Sequence, residues 1–106
     1  MKTLALLACC AALAGAAEEK KKGEVSGGKK IFDGQCAVCH ATATDQKKLG
    51  PSLKNLFKNA KMADGKKPTE ANVRAKIDEG GSGMPAYKEM LSAEEKDDLI
   101  AYLKTL

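Results

Sequence analysis

The sequence predicts one small all-α domain with about four short helices and long loops. Three observations support this prediction. The chain has 106 residues, which is enough for a single domain. Apolar residues recur at helical spacing, and the period-two alternation of a half-buried strand is absent. Proline, glycine and capping residues stand at the ends of the apolar stretches, where helices begin and end.

The N-terminus resembles a secretory signal peptide over residues 1–17. Lys2 supplies a positive charge, residues 4–13 form a short apolar run, and small residues follow at 14–16. This run is too short to span a bilayer. We therefore expect an exported, periplasmic or similar location, with residues 18–27 as a flexible charged linker and residues 28–106 as the folded domain.

A lipid anchor is the less favoured alternative. Residues 6–9 resemble a bacterial lipobox, which would leave Cys9 as a lipid-modified first residue. The apolar core before Cys9 would then be shorter than the usual seven residues. In this alternative the protein would be attached to a membrane, and otherwise it would not.

The first two predicted helices flank a cysteine-rich segment. The first runs from about Ser26 or Gly27 into that segment, and a short second helix follows Pro51 with Ser52 as its cap. Its predicted inward residues are Leu53, Leu56 and Phe57.

The last two helices have clearer ends. The third begins at Thr69, after Pro68, and ends at Gly80. The fourth begins with a capping box, in which Ser92 and Glu95 stand three residues apart. Their predicted buried residues are Val73, Ile77, Leu99, Ile100, Leu103 and Leu106.

The chemistry is concentrated in Cys36, Cys39 and His40. On helical backbone these residues share one side, so two thiols could bond covalently to a haem while the imidazole reaches its iron. The Cys-x-x-Cys-His pattern is the attachment signature of c-type haem. A disulfide, a thioredoxin-like redox pair and a structural zinc site are the alternatives.

A second iron ligand has three methionine candidates downstream of the motif. We favour Met84, because the glycines of residues 80–83 permit close approach and Pro85 stiffens the loop. Met62 and Met90 are more simply interpreted as core residues.

Residues 26–106 resemble the class I single-haem cytochromes c, especially the small bacterial electron carriers. In that family a glycine and a phenylalanine of the first helix pack against a leucine and an aromatic residue of the last. Gly28, Phe32, Leu99 and Tyr102 occupy those positions. The resemblance implies the cytochrome c fold, wrapped around one covalently bound haem c.

The resemblance also assigns a role to Pro51. In the family, a proline carbonyl after the haem motif accepts a hydrogen bond from the ligating imidazole, and Gly50-Pro51 matches that pair. Many members carry a tryptophan or arginine near a haem propionate. This chain has no tryptophan, so Tyr87 and Arg74 are the candidates for that contact.

With His40 and Met84 both on the iron, no open position is left for a substrate. The chain is therefore interpreted as a single-electron carrier of a respiratory-type chain and not as an enzyme. Its net charge of +4, or +3 without Lys2, indicates an acidic redox partner and no nucleic acid. We expect a monomer with transient partners, steered by a basic ring of lysines at 47, 48, 54 and 88, or with those lysines only solvating the surface.

Three other functions stay open at this point. The chain could be a tightly bound haem subunit of an oxidase, peroxidase or dehydrogenase. It could be a ligand-binding haem protein with Met84 detached, or an exported thiol or metal module without haem.

Overall fold

The computed structural model describes residues 23–106. The predicted signal peptide, the possible lipidation site at Cys9 and the first part of the linker lie outside these residues. Within them the fold has no strand, apart from an isolated bridge between Gly81 and Met84. Its elements are α1 (Val25–Ile31), a π-helical turn (Phe32–Cys36), a 3-10 turn (Leu56–Lys58), α2 (Glu70–Glu79) and α3 (Ala93–Leu103).

The first and last helices cross at a glycine. A Cβ atom at Gly28 would overlap the carbonyl oxygen of Asp98 and lie 2.8 Å from the Cβ of Tyr102. Beside this crossing the rings of Phe32 and Tyr102 stand 5.4 Å apart, and Leu99 is fully buried. The predicted contact between the two helices is therefore confirmed, and it places the end of α1 against the core.

Capping side chains determine where α2 and α3 begin. The Thr69 hydroxyl accepts the Asn72 N–H at 3.1 Å, one residue before α2. At α3 the Glu95 N–H donates to the Ser92 hydroxyl, and the Ser92 N–H donates to the Glu95 carboxylate. This reciprocal pair is the predicted capping box, and it satisfies two N–H groups that lack partners within the helix.

The segment after Pro51 differs from its prediction. It contains only the 3-10 turn Leu56–Lys58, because Asn55 has a left-handed backbone with φ of 57° that interrupts a continuous helix. Ser52 caps a turn instead, since its hydroxyl accepts the Lys54 N–H at 3.1 Å and donates to the Thr44 carbonyl. Leu56 is nevertheless buried, as its apolar character predicted.

The core is small, and several of the side chains that pack against it are only partly buried. Its buried apolar residues are Phe32, Leu56, Val73, Ile77, Tyr87, Leu91, Leu99, Ile100 and Leu103. Cys36, Met62 and Met84 are only partly buried and pack against its border. A chain of this size with so few large apolar groups has a marginal core. In residues 23–106, no helix combines the length and the apolar character needed to cross a membrane.

Candidate functional site

The backbone around the Cys-x-x-Cys-His motif continues α1 through helical turns. The Ala37 N–H donates to the Phe32 carbonyl at 2.9 Å, which closes the wide π-helical turn. The N–H groups of Cys39 and His40 then both donate to the Cys36 carbonyl, at 3.1 and 3.0 Å. Such single π-helical turns are frequent at functional sites. The sequence predicts a helix here, but it does not predict that residues 32–36 form a wider π-helical turn.

The Cys36 and Cys39 side chains are partly buried and are not joined in a disulfide. Burial raises the pKa of the Cys36 thiol to about 11, and the neighbouring Cys39 contributes further. The thiolate is the nucleophile in thiol exchange, so this environment disfavours that reaction at Cys36. In the part of the chain that the structure describes, no group of three His, Cys, Asp or Glu side chains is arranged to hold a metal ion.

A hydrogen bond orients the His40 imidazole. Its Nδ1 lies 2.7 Å from the carbonyl oxygen of Pro51. A carbonyl can only accept, so in the neutral imidazole Nδ1 is the donor and the lone pair lies on Nε2. The contact joins the histidine of the motif to the proline that the resemblance pairs with it.

Gly50 provides the space in which this imidazole lies. A Cβ atom at Gly50 would lie 2.6 Å from Cε1 and 2.9 Å from Nδ1 of His40. The Gly50 N–H also donates to the Cys39 carbonyl at 2.8 Å. The sequence alone pairs Gly50 with Pro51 and does not predict this close approach to the His40 ring.

Met84 stands at the end of a tight turn. The N–H of Gly81 donates to the Met84 carbonyl at 3.0 Å, and the N–H of Met84 donates to the Gly81 carbonyl at 2.7 Å. Ser82 and Gly83 between them have positive φ values of 35° and 91°. Glycine adopts such values without strain, so the glycine-rich sequence allows this turn. Residues 80–88 are called the Met84 loop below.

The three methionine candidates differ in burial. Met84 and Met62 are partly buried against the core, whereas the Met90 side chain is 60% exposed. The interpretation of Met90 as a core residue is therefore wrong, because the turn at residues 87–91 directs it outward. Cys36 and Met84, 48 residues apart in sequence, both border the same apolar cluster.

The two candidates for a propionate contact already have partners. The Tyr87 hydroxyl donates to the Gln35 carbonyl at 3.2 Å, and burial raises the pKa of this phenol. Arg74 forms an ion pair with Asp97 of α3. Tyr87 thus lies beside the cysteine motif, whereas Arg74 joins α2 to α3.

The surface near the motif carries both lysines and apolar side chains. Lys48 donates from Nζ to the Ala37 carbonyl at 3.2 Å, so one of the predicted ring lysines lies beside the motif. Lys47 and Lys88 are also exposed, and Lys54 is half-buried. Among apolar residues, Val38 is 74% and Leu49 is 83% exposed.

Comparisons with known proteins agree with this geometry. The family model described as cytochrome C oxidase, cbb3-type, subunit III matches residues 23–103. Cytochrome c6 of Leptolyngbya boryana is 36% identical over 80 residues, covering 76% of this chain and 89% of the relative. Cytochrome c6 of Bryopsis maxima is 35% identical over 83 residues, covering 76% of this chain and 90% of the relative. The crystal structure of cytochrome c6 from the diatom Phaeodactylum tricornutum superposes with a TM-score of 0.62 at 32% identity, covering 78% of this chain and 93% of that one.

Proposed function

The chain belongs to the class I single-haem cytochromes c, and on that premise we propose which of its residues hold the haem. The fold is the all-α cytochrome c fold, and the chain carries one covalently bound haem c. It is a small electron carrier that acts between redox partners, and it is not an enzyme. The haem iron supplies the chemistry, because it takes up and releases one electron.

Cys36 and Cys39 would form the covalent bonds to the haem, and His40 would bind its iron. The hydrogen bond from Nδ1 of His40 to the Pro51 carbonyl is the observation that most strongly supports this assignment. It would fix the ring orientation and increase the basicity of the ligand. Covalent attachment would also remove the ionisable Cys36 thiol, which burial keeps neutral.

Met84 would be the second residue to bind the iron. The turn at residues 81–84 holds its backbone, and its side chain is partly buried against the core. A neutral thioether ligand favours the reduced iron, so a relatively high positive potential is expected. With His40 and Met84 both bound to the iron, no position would be left for a substrate, which suits electron transfer.

An absorption spectrum of the reduced and oxidised protein tests both assignments. The protein should be exported by a host that matures c-type haem, and it should be compared with Met84→Ala and with Met90→Ala as the matched control. We expect haem colour that survives denaturation and acid extraction. A weak red charge-transfer band should be lost in Met84→Ala and kept in Met90→Ala.

Other outcomes would assign the site differently. A colourless protein would contradict haem attachment at Cys36 and Cys39. A coloured Met84→Ala protein with an unchanged charge-transfer band would contradict ligation by Met84. Met62, which is also partly buried at the core border, would then be the next variant.

We further propose that the partners are acidic redox proteins of a respiratory-type chain, bound transiently by the monomer. The lysine beside the motif and the exposed Val38 and Leu49 support a small docking surface there. Electron-transfer rates should fall with rising ionic strength, and rates indifferent to salt would contradict this docking mode. Residues 1–17 would be removed as the protein is exported, which mass spectrometry of the periplasmic protein would reveal. A mass that includes a lipid on Cys9 would contradict the unmodified form.

A tightly bound oxidase subunit is the second candidate, because the matching family model carries that description. The two candidates differ in the strength of association. Purification in a fixed ratio with an oxidase would support the subunit, and purification as a free monomer would support the transient carrier.

A further inference from the structure

A lysine is buried on the core side of the last helix. Lys96 is 8% exposed and is the one charged residue among the buried residues of the described chain. It precedes Leu99 by three positions and Leu103 by seven, so it lies on the apolar face of α3. Lysine is almost never fully buried unless its charge is paired. The position therefore requires a specific partner.

The ammonium group of Lys96 joins two other segments of the chain. Its Nζ lies 2.5 Å from Oδ1 of Asp78, near the end of α2, and it donates to the Lys88 carbonyl at 3.1 Å. Oδ1 of Asp78 is buried, and apart from the ammonium group of Lys96 it has no polar partner within residues 23–106. The contact with Lys96 is therefore the interaction that compensates this buried carboxylate oxygen.

The Lys88 carbonyl lies four residues after Met84, at the end of the Met84 loop. Backbone hydrogen bonds already attach this end to α2. The Tyr87 N–H donates to the backbone carbonyl of Ile77 at 2.9 Å, and the Lys88 N–H donates to the backbone carbonyl of Asp78 at 3.2 Å. Lys96 adds the connection to α3. Opening the loop would break a hydrogen bond from a charged donor in a buried setting, which is costly.

We propose that Lys96 is a positioning residue that holds the Met84 loop closed and so keeps Met84 on the iron. The inference rests on the proposed role of Met84 as a ligand. A loop that opens locally carries its methionine away without unfolding the protein. The Lys96 contacts to Asp78 and to the Lys88 carbonyl oppose that opening.

Lys96→Met in the haem-loaded protein tests the proposal, because methionine keeps the apolar stem and removes the charge. Lys104→Met is the matched control, since Lys104 is another lysine at this end of the chain, in an exposed ion pair with Glu70. We expect carbon monoxide to bind the reduced Lys96→Met protein about tenfold faster than wild type. The red charge-transfer band should also be lost at a denaturant concentration that leaves the helical circular dichroism intact. The control should match wild type in both measurements.

Two more variants separate positioning from general stability. Lys96→Arg keeps the charge. Compared with Lys96→Met, it should recover the charge-transfer band and should bind carbon monoxide as slowly as wild type does. The double variant Lys96→Met with Asp78→Leu leaves no uncompensated charge and should recover global stability, yet the loop should still open readily. The proposal is overturned if the double variant binds carbon monoxide as slowly as wild type. It is also overturned if Lys96→Met loses the charge-transfer band and the helical circular dichroism at the same denaturant concentration.

Failure of the ligand assignment gives a different result. In that case the wild-type charge-transfer band is absent, or it survives Met84→Ala. Either result overturns the proposed function before the Lys96 variants are compared.

Discussion

Replacing Gly28 with alanine should separate the two helices that form the core. The added Cβ would lie 2.6 Å from the carbonyl carbon of Asp98 and 2.8 Å from the Cβ of Tyr102. Non-bonded carbons prefer about 3.5–4.0 Å, so α1 and α3 must move apart by about 1 Å. Backbone atoms form the obstacle, so no side-chain rotation relieves it. The displacement would also loosen the packing of Phe32 against Tyr102.

The expected cost follows from two opposing contributions. Overpacking of this kind destabilises by about 3 kcal/mol at the upper end of its range. Alanine in place of glycine in a helix recovers about 1 kcal/mol. The free energy of unfolding should therefore fall by about 2 kcal/mol, which lowers the melting temperature of a domain of this size by roughly 8–16 °C.

Thermal and denaturant unfolding of the haem-loaded protein, followed by circular dichroism, would measure this loss. Gly34→Ala is the matched control, because a Cβ there meets nothing within 4 Å and the residue lies in the adjoining π-helical turn. Gly27→Ala should fall between the two, since its Cβ would meet the side chain of Asp98 and not its backbone, with Oδ2 at 2.8 Å. Equal melting temperatures for Gly28→Ala and Gly34→Ala would refute the packing argument.

Three further predictions follow from the site and the caps. Gly50→Ala should displace the His40 ring and weaken the low-spin haem spectrum, and an unchanged spectrum would contradict the close approach. Ser92→Ala should lower the free energy of unfolding by about 1 kcal/mol, measured by denaturant titration, because the Glu95 N–H loses its acceptor. Burial raises the pKa of Tyr87, so its contribution to stability is complete below the pKa of the unfolded phenol, about 10, and is lost above it. Stability measured from pH 8 to 11 should thus fall more steeply in wild type than in Tyr87→Phe, and parallel curves would contradict this.

Parts of the fold that depend on neighbouring residues could be predicted from the sequence. A capping box needs Ser92 and Glu95 only three positions apart, and the haem motif spans five positions. The apolar residues of α2 and α3 recur at helical spacing, so their burial followed from that pattern. The same spacing puts Lys96 on the buried face, but burial was not predicted there because lysine is usually exposed.

Other features depend on residues that meet only in three dimensions. The prediction of a helix after Pro51 was wrong because the Ser52 hydroxyl binds the preceding loop and Asn55 takes a left-handed conformation, so the chain folds there as turns. Met90 is exposed because a turn directs it outward, although its sequence context resembled a core position. Nothing local in the sequence distinguishes these outcomes.

The sequence by itself determined the family, the covalent haem chemistry and the approximate ends of three helices, since each rests on short-range spacing and residue type. Only the tertiary structure decided that Gly50 lies against the His40 ring, because the two residues are ten positions apart in sequence. It also decided that Lys96 pairs with Asp78 across two helices. The physical reason is that both contacts join residues distant in sequence: a buried charge such as that of Lys96 requires a partner, and the fold determines which one lies within reach.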